Sequence, residues 1–229
     1  MTRPRPVIAI DGPAGAGKST VAQALAERLG YVLVDTGALY RGLALLARER
    51  GIAWTDGAAL GAFAAGIEFR FVTEVDGSKA APKLFSGTRD LSNDIRTPAI
   101  SMGASDVSKH PEVRAALLDI QRQLGRDGGV VLEGRDIGTV VFPDAEAKIF
   151  LTAGPEVRAR RRVRDLESRG IQADFGQTLS EIKARDAQDA GRSVAPLRAA
   201  EDAIILDTTD LDITAVVEEM ARIAEAKGA

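Results

Sequence analysis

The chain contains no cysteine and only one histidine, His110, among its 229 residues. Thiol catalysis and thiolate metal sites are therefore excluded, as is a zinc or iron site built from several histidines. Only 4% of the residues are aromatic, and no apolar run is long enough to span a bilayer. We therefore expect no membrane association. With only oxygen ligands available, the metal we expect is Mg²⁺.

An excess of charge of one sign is also missing. The 30 Lys and Arg residues nearly balance the 33 Asp and Glu residues, so the net charge is −3. Such a surface has no general attraction for nucleic acid, and we expect small-molecule partners instead. No apolar signal segment follows Met1, so a cytoplasmic location is predicted. A hydrophobic content of 45% suffices for a single domain over residues 1–229.

Five short stretches rich in Val, Ile and Leu are candidate buried strands: 7–10, 31–35, 129–133, 148–152 and 203–207. Amphipathic stretches separate most of them, which is typical of an α/β fold with a five-stranded parallel sheet flanked by helices. Ligands of such sheets bind beyond the carboxyl ends of the strands. We therefore expect the four strand ends at Asp11, Asp35, Glu133 and Thr152 to converge on one cleft.

Two segments interrupt this alternation. Residues 66–96 contain short apolar stretches around the turn signal Asp76-Gly77, which predicts a small antiparallel sheet inserted into the frame. Residues 155–170 form a helical pattern that carries six arginines: Arg158, Arg160, Arg161, Arg162, Arg164 and Arg169. A solvated helix face would explain any one of them, but six exceed what Asp165 and Glu167 can pair with locally.

Residues 12–20, which follow the apolar run 7–11, fill every fixed position of the pattern G-x-x-x-x-G-K-[ST]. Glycines there let backbone N–H groups point at phosphates, while the lysine reaches the β and γ phosphates and the hydroxyl binds Mg²⁺. A nucleoside triphosphate is therefore expected to contact Gly12, Pro13, Ala14, Gly15, Ala16, Gly17, Lys18, Ser19 and Thr20, with Ser19 as the metal ligand.

Arginines follow two other predicted strands. Thr36 can cap a helix after the second strand, and Arg41 lies on the second turn of that helix. Arg135 follows the third strand and is flanked by Glu133 and Asp136. Arg41 could be an ordinary exposed helix arginine or could face an anion. Arg135 could form a surface salt bridge or could hold the phosphate of an acceptor through bidentate hydrogen bonds.

The spacing of Arg185, Asp189 and Arg192 by four and three residues places them on one face of a predicted helix. A simple ion pair between Arg185 and Asp189 is one interpretation. The other is that Asp189 receives sugar hydroxyls while the arginines approach phosphate and ribose. Pro196 and Gly191 mark the region where the helix should end.

A cluster of cations around a triphosphate favours phosphoryl transfer, which depends on positioning and charge stabilisation more than on covalent catalysis. An acceptor phosphate, with a second pKa near ~6, is largely ionised at pH 7 and needs no strong base. A hydroxyl acceptor would instead use a carboxylate, and Asp35, Glu133 and Asp136 are available. These arguments favour a phosphate acceptor without deciding the matter.

The combined motifs resemble those of the bacterial cytidylate kinases, which belong to the nucleoside monophosphate kinase group of P-loop kinases. The resemblance covers almost the whole chain, and its most specific part is the string Gly134-Arg-Asp-Ile-Gly-Thr-Val-Val-Phe-Pro-Asp144. Further matching strings are 35–41, 95–97, 111–114, 148–151, 181–186 and 192–197. The resemblance implies a fold of the P-loop NTP hydrolase type, with 66–96 as a monophosphate-binding insertion and 155–170 as a lid.

This resemblance also implies that ATP, with Mg²⁺, donates its γ-phosphoryl group to CMP or dCMP. The acceptor phosphate would be held by Arg41, Arg135 and Arg192, the ribose by Arg185 and Asp189, and the cytosine by Ser105, Arg114 and Asp136. Thr36 and Tyr40 belong to the same acceptor site. Lys18, Arg135 and the lid residues Arg158 and Arg162 would stabilise the transferred group.

Two alternatives remain open from the sequence. One is a P-loop kinase of another small acceptor, since many such kinases share a phosphate loop and a lid. The other is a regulatory nucleotide-binding switch, although the chain lacks a D-x-x-G after a strand and an N-K-x-D motif. We also expect a monomer.

Overall fold

The computed structural model describes residues 3–76, 79–168 and 170–229, so Gly77 of the expected turn and Arg169 of the expected lid lie outside the described residues. In chain order the elements are β1 (Val7–Asp11), α1 (Lys18–Leu29), β2 (Val32–Asp35), α2 (Thr36–Glu49), α3 (Gly57–Ala65), β3 (Phe69–Asp76), β4 (Lys79–Ser86), β5 (Arg89–Asp90), α4 (Pro98–Val107), α5 (Pro111–Gly125), β6 (Val130–Gly134), β7 (Ala147–Thr152), α6 (Pro155–Ser168), α7 (Phe175–Ala190), β8 (Ile204–Asp207) and α8 (Ile213–Glu225). Residues 94–96 form a 3₁₀ turn and residues 137–141 form a π-helical turn.

The main sheet has five strands in the order β2-β6-β1-β7-β8. The pairs of β1 with β6, β1 with β7 and β7 with β8 are parallel. All five residues of β1 and all five of β6 are buried, as expected for central strands covered by helices on both faces. The predicted α/β class and all five predicted strands are confirmed.

A second, antiparallel sheet has the order β3-β4-β5 and lies within the expected insertion, residues 66–96. Its long hairpin places Phe69 opposite Ser86 and Phe71 opposite Leu84. Leu84 is fully buried in a core cluster with Leu39 and Leu43 of α2. The insertion predicted from short apolar stretches is therefore confirmed, and it shares an apolar core with α2.

Helix α2 begins differently from the expectation. The side chain of Asp35, not that of Thr36, caps the helix, because Asp35 Oδ1 accepts the backbone N–H of Ala38 at 3.1 Å. A carboxylate at this position satisfies one of the N–H groups that the first helical turn leaves open. Thr36 is instead the first residue of the helix and is buried.

Helix α7 ends one residue before the glycine that the sequence marked as a terminator. Its last residue is Ala190, with Gly191 as the C-cap. Arg192 therefore lies beyond the helix. The prediction that it shares a helical face with Arg185 and Asp189 is wrong. Arg192 nevertheless pairs with Asp189, which lies three residues earlier in the chain.

The chain divides into two compact units, residues 1–31 with 128–229 and residues 32–127. In the first unit, α1 packs against α8 and α6 packs against α7. In the second, α2 packs against α4, and α3 packs against α5. Over the described ranges, none of the helices combines the length and the apolar character that crossing a bilayer requires.

Candidate active site

The loop between β1 and α1 has the conformation that a phosphate-binding loop requires. Gly12 has a φ of +149°, and a Cβ atom built there would lie 2.1 Å from the backbone oxygen of Leu151. Gly17, immediately before α1, has a φ of +90°. Side chains are excluded at Gly12 by a backbone contact and are disfavoured at both positions by conformation. The glycines of the sequence motif are thus needed for the shape of the loop.

Lys18 opens helix α1 and is buried, with only 6% of its surface exposed. Its Nζ donates hydrogen bonds to the backbone oxygens of Gly12 and Pro13, both at 2.8 Å. Burial, followed by repulsion from Arg135, lowers the pKa of Lys18 to about 7, although Glu133 opposes this shift. A bound phosphate would supply the negative charge that keeps this ammonium group protonated.

Ser19 and Thr20 follow Lys18 on the first turn of α1, and both are exposed. A hydroxyl at this position matches the hard oxygen donors that Mg²⁺ prefers. Within the described ranges, no group of three or more His, Asp or Glu side chains could hold a metal ion. The hydroxyl of Ser19 is thus a protein donor of the kind that fits a magnesium ion.

Arg158 of α6 is buried, and its guanidinium is held by neighbouring protein groups. It forms two hydrogen bonds with Asp186 of α7, at 2.7 and 3.0 Å. Its Nη1 also donates to the backbone oxygen of Ala14 at 3.1 Å, and its Nε donates to that of Ala153 at 2.8 Å. Arg158 thus links the phosphate loop to α6 and α7.

Two more arginines of α6 differ in their environment. Arg161 donates to the hydroxyl of Thr208 at 2.9 Å and also contacts the backbone oxygen of Ala16 in the phosphate loop. The side chain of Arg162 is 36% exposed and pairs with Asp165 on the same helix at 3.1 Å. An exposed pair of this kind is weak, so Arg162 can exchange Asp165 for an anionic ligand at little cost.

Asp189 forms ion pairs with two arginines, Arg135 and Arg192. Its carboxylate is almost fully buried, accepts a hydrogen bond from Arg135 Nε at 3.0 Å and pairs with Arg192. Burial alone would raise the pKa of Asp189, but the combined attraction of Arg135, Arg192 and Arg185 lowers it. The carboxylate therefore stays ionised and holds two cations in place. The predicted cluster of Arg135, Arg185, Asp189 and Arg192 is present in one unit.

The second unit holds five more predicted acceptor residues, Thr36, Tyr40, Arg41, Ser105 and Arg114, while Asp136 belongs to the first unit. Arg41 Nη2 donates to Asp35 Oδ2, and both side chains line a small pocket with Ser92 and Arg96. Among the described residues, the buried Nε of Arg41 has no hydrogen-bond partner. An anion in this pocket would satisfy that donor.

Arg114 and Tyr40 also meet in the second unit. The guanidinium of Arg114 lies 5.7 Å from the ring centroid of Tyr40, and its Nη1 is 3.4 Å from the backbone oxygen of Ser108. The hydroxyl of Ser108 in turn donates to the backbone oxygen of Ser105 at 3.0 Å. Predicted base-contacting residues thus lie on neighbouring turns of α4 and α5.

Sequence reasoning gave no site role to three residues that lie beside the phosphate loop or contact a residue bound to it. Arg161 was one of six arginines on a helix, and Asp186 was one letter in a matching string. Asp11 was noted only as a strand end. No short-range pattern marks these residues, because each acts through a partner that lies far away in sequence.

A parallel α/β sheet, a glycine loop around a buried lysine and arginines at neighbouring strand ends together define a P-loop phosphotransferase. The model of the cytidylate kinase family matches residues 8–226. This chain belongs to the cytidylate kinase family.

Individual relatives agree with the family match. The cytidylate kinase of Syntrophotalea carbinolica is 51% identical over 217 residues, which cover 95% of this chain and 91% of that protein. The cytidylate kinase of Pseudomonas aeruginosa PAO1 is 49% identical over 223 residues, which cover 97% and 96%. An uncharacterized protein from Eubacterium ventriosum superposes with a TM-score of 0.51 at 14% identity, covering 97% of this chain and 99% of that one, and supports the fold alone.

Proposed function

We propose that this enzyme transfers the γ-phosphoryl group of ATP to CMP or dCMP, giving ADP and CDP or dCDP. The observation that carries the proposal is the phosphate loop with its buried lysine, in a chain that belongs to the cytidylate kinase family. The acceptor is a phosphate that is already ionised near neutral pH, so the reaction needs no strong general base. A reaction without a strong general base is compatible with a chain that has one histidine and no cysteine.

The donor side of the reaction is assigned to the phosphate loop, residues 12–20. Its backbone N–H groups and Lys18 hold the triphosphate, and Lys18 stabilises charge that develops on the transferred group. Ser19 is the protein group that would hold Mg²⁺, which supplies charge neutralisation when it is bound. Arg162, and Arg158 if it exchanges Asp186 for phosphate, add positive charge from α6.

The acceptor side is assigned by the resemblance to the cytidylate kinases. Arg41, Arg135 and Arg192 hold the monophosphate of CMP, and Arg185 and Asp189 bind its ribose. The unpartnered Nε of Arg41 and the arginine pair around Asp189 support these roles. We assign the cytosine edge to Ser105, Arg114 and Asp136, with Thr36 and Tyr40 beside them. Binding energy spent on these contacts orients the acceptor phosphate for in-line attack.

A coupled assay of ADP release tests the proposal across CMP, dCMP, UMP, AMP, GMP, shikimate and gluconate, each with Mg²⁺ and ATP. CMP and dCMP are expected to give values of kcat/KM at least about a hundredfold above those for the purines and the sugar acids, because the proposed base contacts are made to a cytosine edge that these acceptors lack. A preference for shikimate or gluconate would instead establish a kinase of another small acceptor. ATP binding without turnover of any acceptor would indicate a nucleotide switch.

The expected cytoplasmic location, the monomeric state and the absence of nucleic acid partners stay predictions.

A further inference from the structure

Asp11 makes contacts that the phosphate-loop motif does not account for. It is the last residue of β1 and only 4% of its surface is exposed. Its Oδ1 accepts the backbone N–H of Ile137 at 2.8 Å, and its Oδ2 accepts that of Gly138 at 2.8 Å. Both carboxylate oxygens are therefore used on the first turn of the π-helical segment 137–141.

The backbone of Asp11 also pairs with the residue that precedes Arg135 and Asp136. In the parallel pairing of β1 with β6, Asp11 lies opposite Gly134. Arg135 and Asp136 are the two residues between this backbone pairing and the side-chain contacts at Ile137 and Gly138. Asp11 thus fixes the dipeptide at both ends, and Asp136 is buried within the fixed segment.

Keeping a carboxylate at this position has a cost. Burial raises the pKa of Asp11 to about 6 even though both backbone hydrogen bonds lower it. Asp136 raises this pKa further and Lys18 lowers it. The phosphate loop itself is shaped by the glycine conformations and by the contact of Gly12 with Leu151, neither of which involves the Asp11 carboxylate. The only hydrogen bonds found for that carboxylate within the described ranges are those to Ile137 and Gly138.

We propose that Asp11 is a positioning residue for the acceptor, which holds Arg135 and Asp136 in register with the phosphate loop through its two bonds to the backbone of residues 137 and 138. The inference rests on the proposed function, in which Arg135 contacts the acceptor phosphate and Asp136 contacts the base. Since both oxygens of Asp11 are acceptors, a change to Asp11→Asn turns one N–H contact into a clash between donors and displaces the loop.

The test compares Asp11→Asn with the unmodified enzyme in steady-state kinetics and in calorimetric binding of ATP without acceptor. We expect kcat/KM for CMP to fall by about ten- to a hundredfold, the effect of a displacement near 1 Å, while the Kd for ATP changes by less than about threefold. In a background that carries both Arg135→Ala and Asp136→Ala, Asp11→Asn should lower kcat/KM by less than about twofold further, because both residues on which it acts are gone.

The matched control is Glu146→Gln. Glu146 Oε2 accepts the backbone N–H of Val7 at 2.8 Å, so this carboxylate serves the opposite end of the same strand. Its replacement should change the melting temperature and leave kcat/KM for CMP within about twofold. All assays run below the melting onset of every variant, so that loss of folded protein does not enter the rates.

Three results would overturn the inference: a kcat/KM of Asp11→Asn within about twofold of the unmodified enzyme, an equal loss in the background that lacks both Arg135 and Asp136, or an equal loss in Glu146→Gln. Failure of the proposed function looks different, since the unmodified enzyme would then not turn over CMP at all.

Discussion

At the residue scale, the clearest consequence of the structure concerns Lys18, which combines burial with a phosphate-binding role. Its ammonium group donates to two backbone oxygens of its own loop, and burial lowers its pKa. Replacing it by methionine keeps the length and removes the charge. We expect Lys18→Met to lower kcat/KM by about a thousandfold, because one preorganised charge at the transferred phosphate is lost. The coupled assay measures this loss, with Lys227→Met, a surface lysine on the C-terminal tail, as control.

The same substitution is expected to stabilise the fold. The folded pKa of about 7 lies below the ordinary lysine pKa of 10.5, so between these values the unfolded chain binds more protons and stability rises with pH. Below pH 7 both states are protonated and the folded state carries the full cost of burying the charge. Lys18→Met removes that cost, so its free energy of unfolding should exceed that of the parent at pH 7. The difference should shrink towards pH 10. Denaturant titrations at both pH values measure it, and a constant difference would contradict the assignment.

At the element scale, an ion pair between Arg158 of α6 and Asp186 of α7 links the two helices. The side chain of Arg158 is only 6% exposed. Removing the acid leaves a buried cation without its partner. We expect Asp186→Ala to lower the free energy of unfolding by about 3 kcal/mol, and Arg158→Met with Asp186→Leu to recover part of it. Chemical denaturation measures both changes.

The exposed pair of Arg162 with Asp165 on the same helix provides the control for this prediction. Asp165→Ala should change the free energy of unfolding by no more than about 0.5 kcal/mol, because solvent screens the pair. Equal costs for Asp186→Ala and Asp165→Ala would show that the link between α6 and α7 does not depend on the buried pair.

Also at this scale, the elements that sequence predicts well are those defined by a local pattern. The apolar runs gave all five strands of the main sheet, and the glycine motif located the phosphate loop. The wrong predictions concern side chains for which more than one partner or position is compatible with the local sequence. Asp35 rather than Thr36 caps α2, and Arg192 reaches Asp189 from outside the helix. Short-range spacing cannot rank two adjacent capping residues, nor can it give the direction of a chain after a helix ends.

At the scale of the whole molecule, the contacts that the sequence could not predict are those between residues far apart in the chain. Asp11 and Ile137 are 126 positions apart, and Arg158 and Ala14 are 144 apart, yet both contacts shape the surroundings of the phosphate loop. Such pairs follow from the parallel order of the sheet, which places the ends of β1, β6 and β7 side by side. The strand order itself is fixed by the packing of the complete chain, and no local signal encodes it.

The last prediction concerns the response of the whole chain to its substrates. Transfer to water competes with transfer to CMP, so the segments 66–96 and 155–170 are expected to close on the bound nucleotides and exclude solvent. With CMP and a non-hydrolysable ATP analogue, amide exchange in these segments should slow by about tenfold or more. Helix α8, which packs on α1 and carries no predicted site residue, provides the internal reference and should change little. Each nucleotide is also tested alone. Exchange that is unchanged in both segments when both nucleotides are bound would contradict closure, because a lid that excludes water must also protect its own amides.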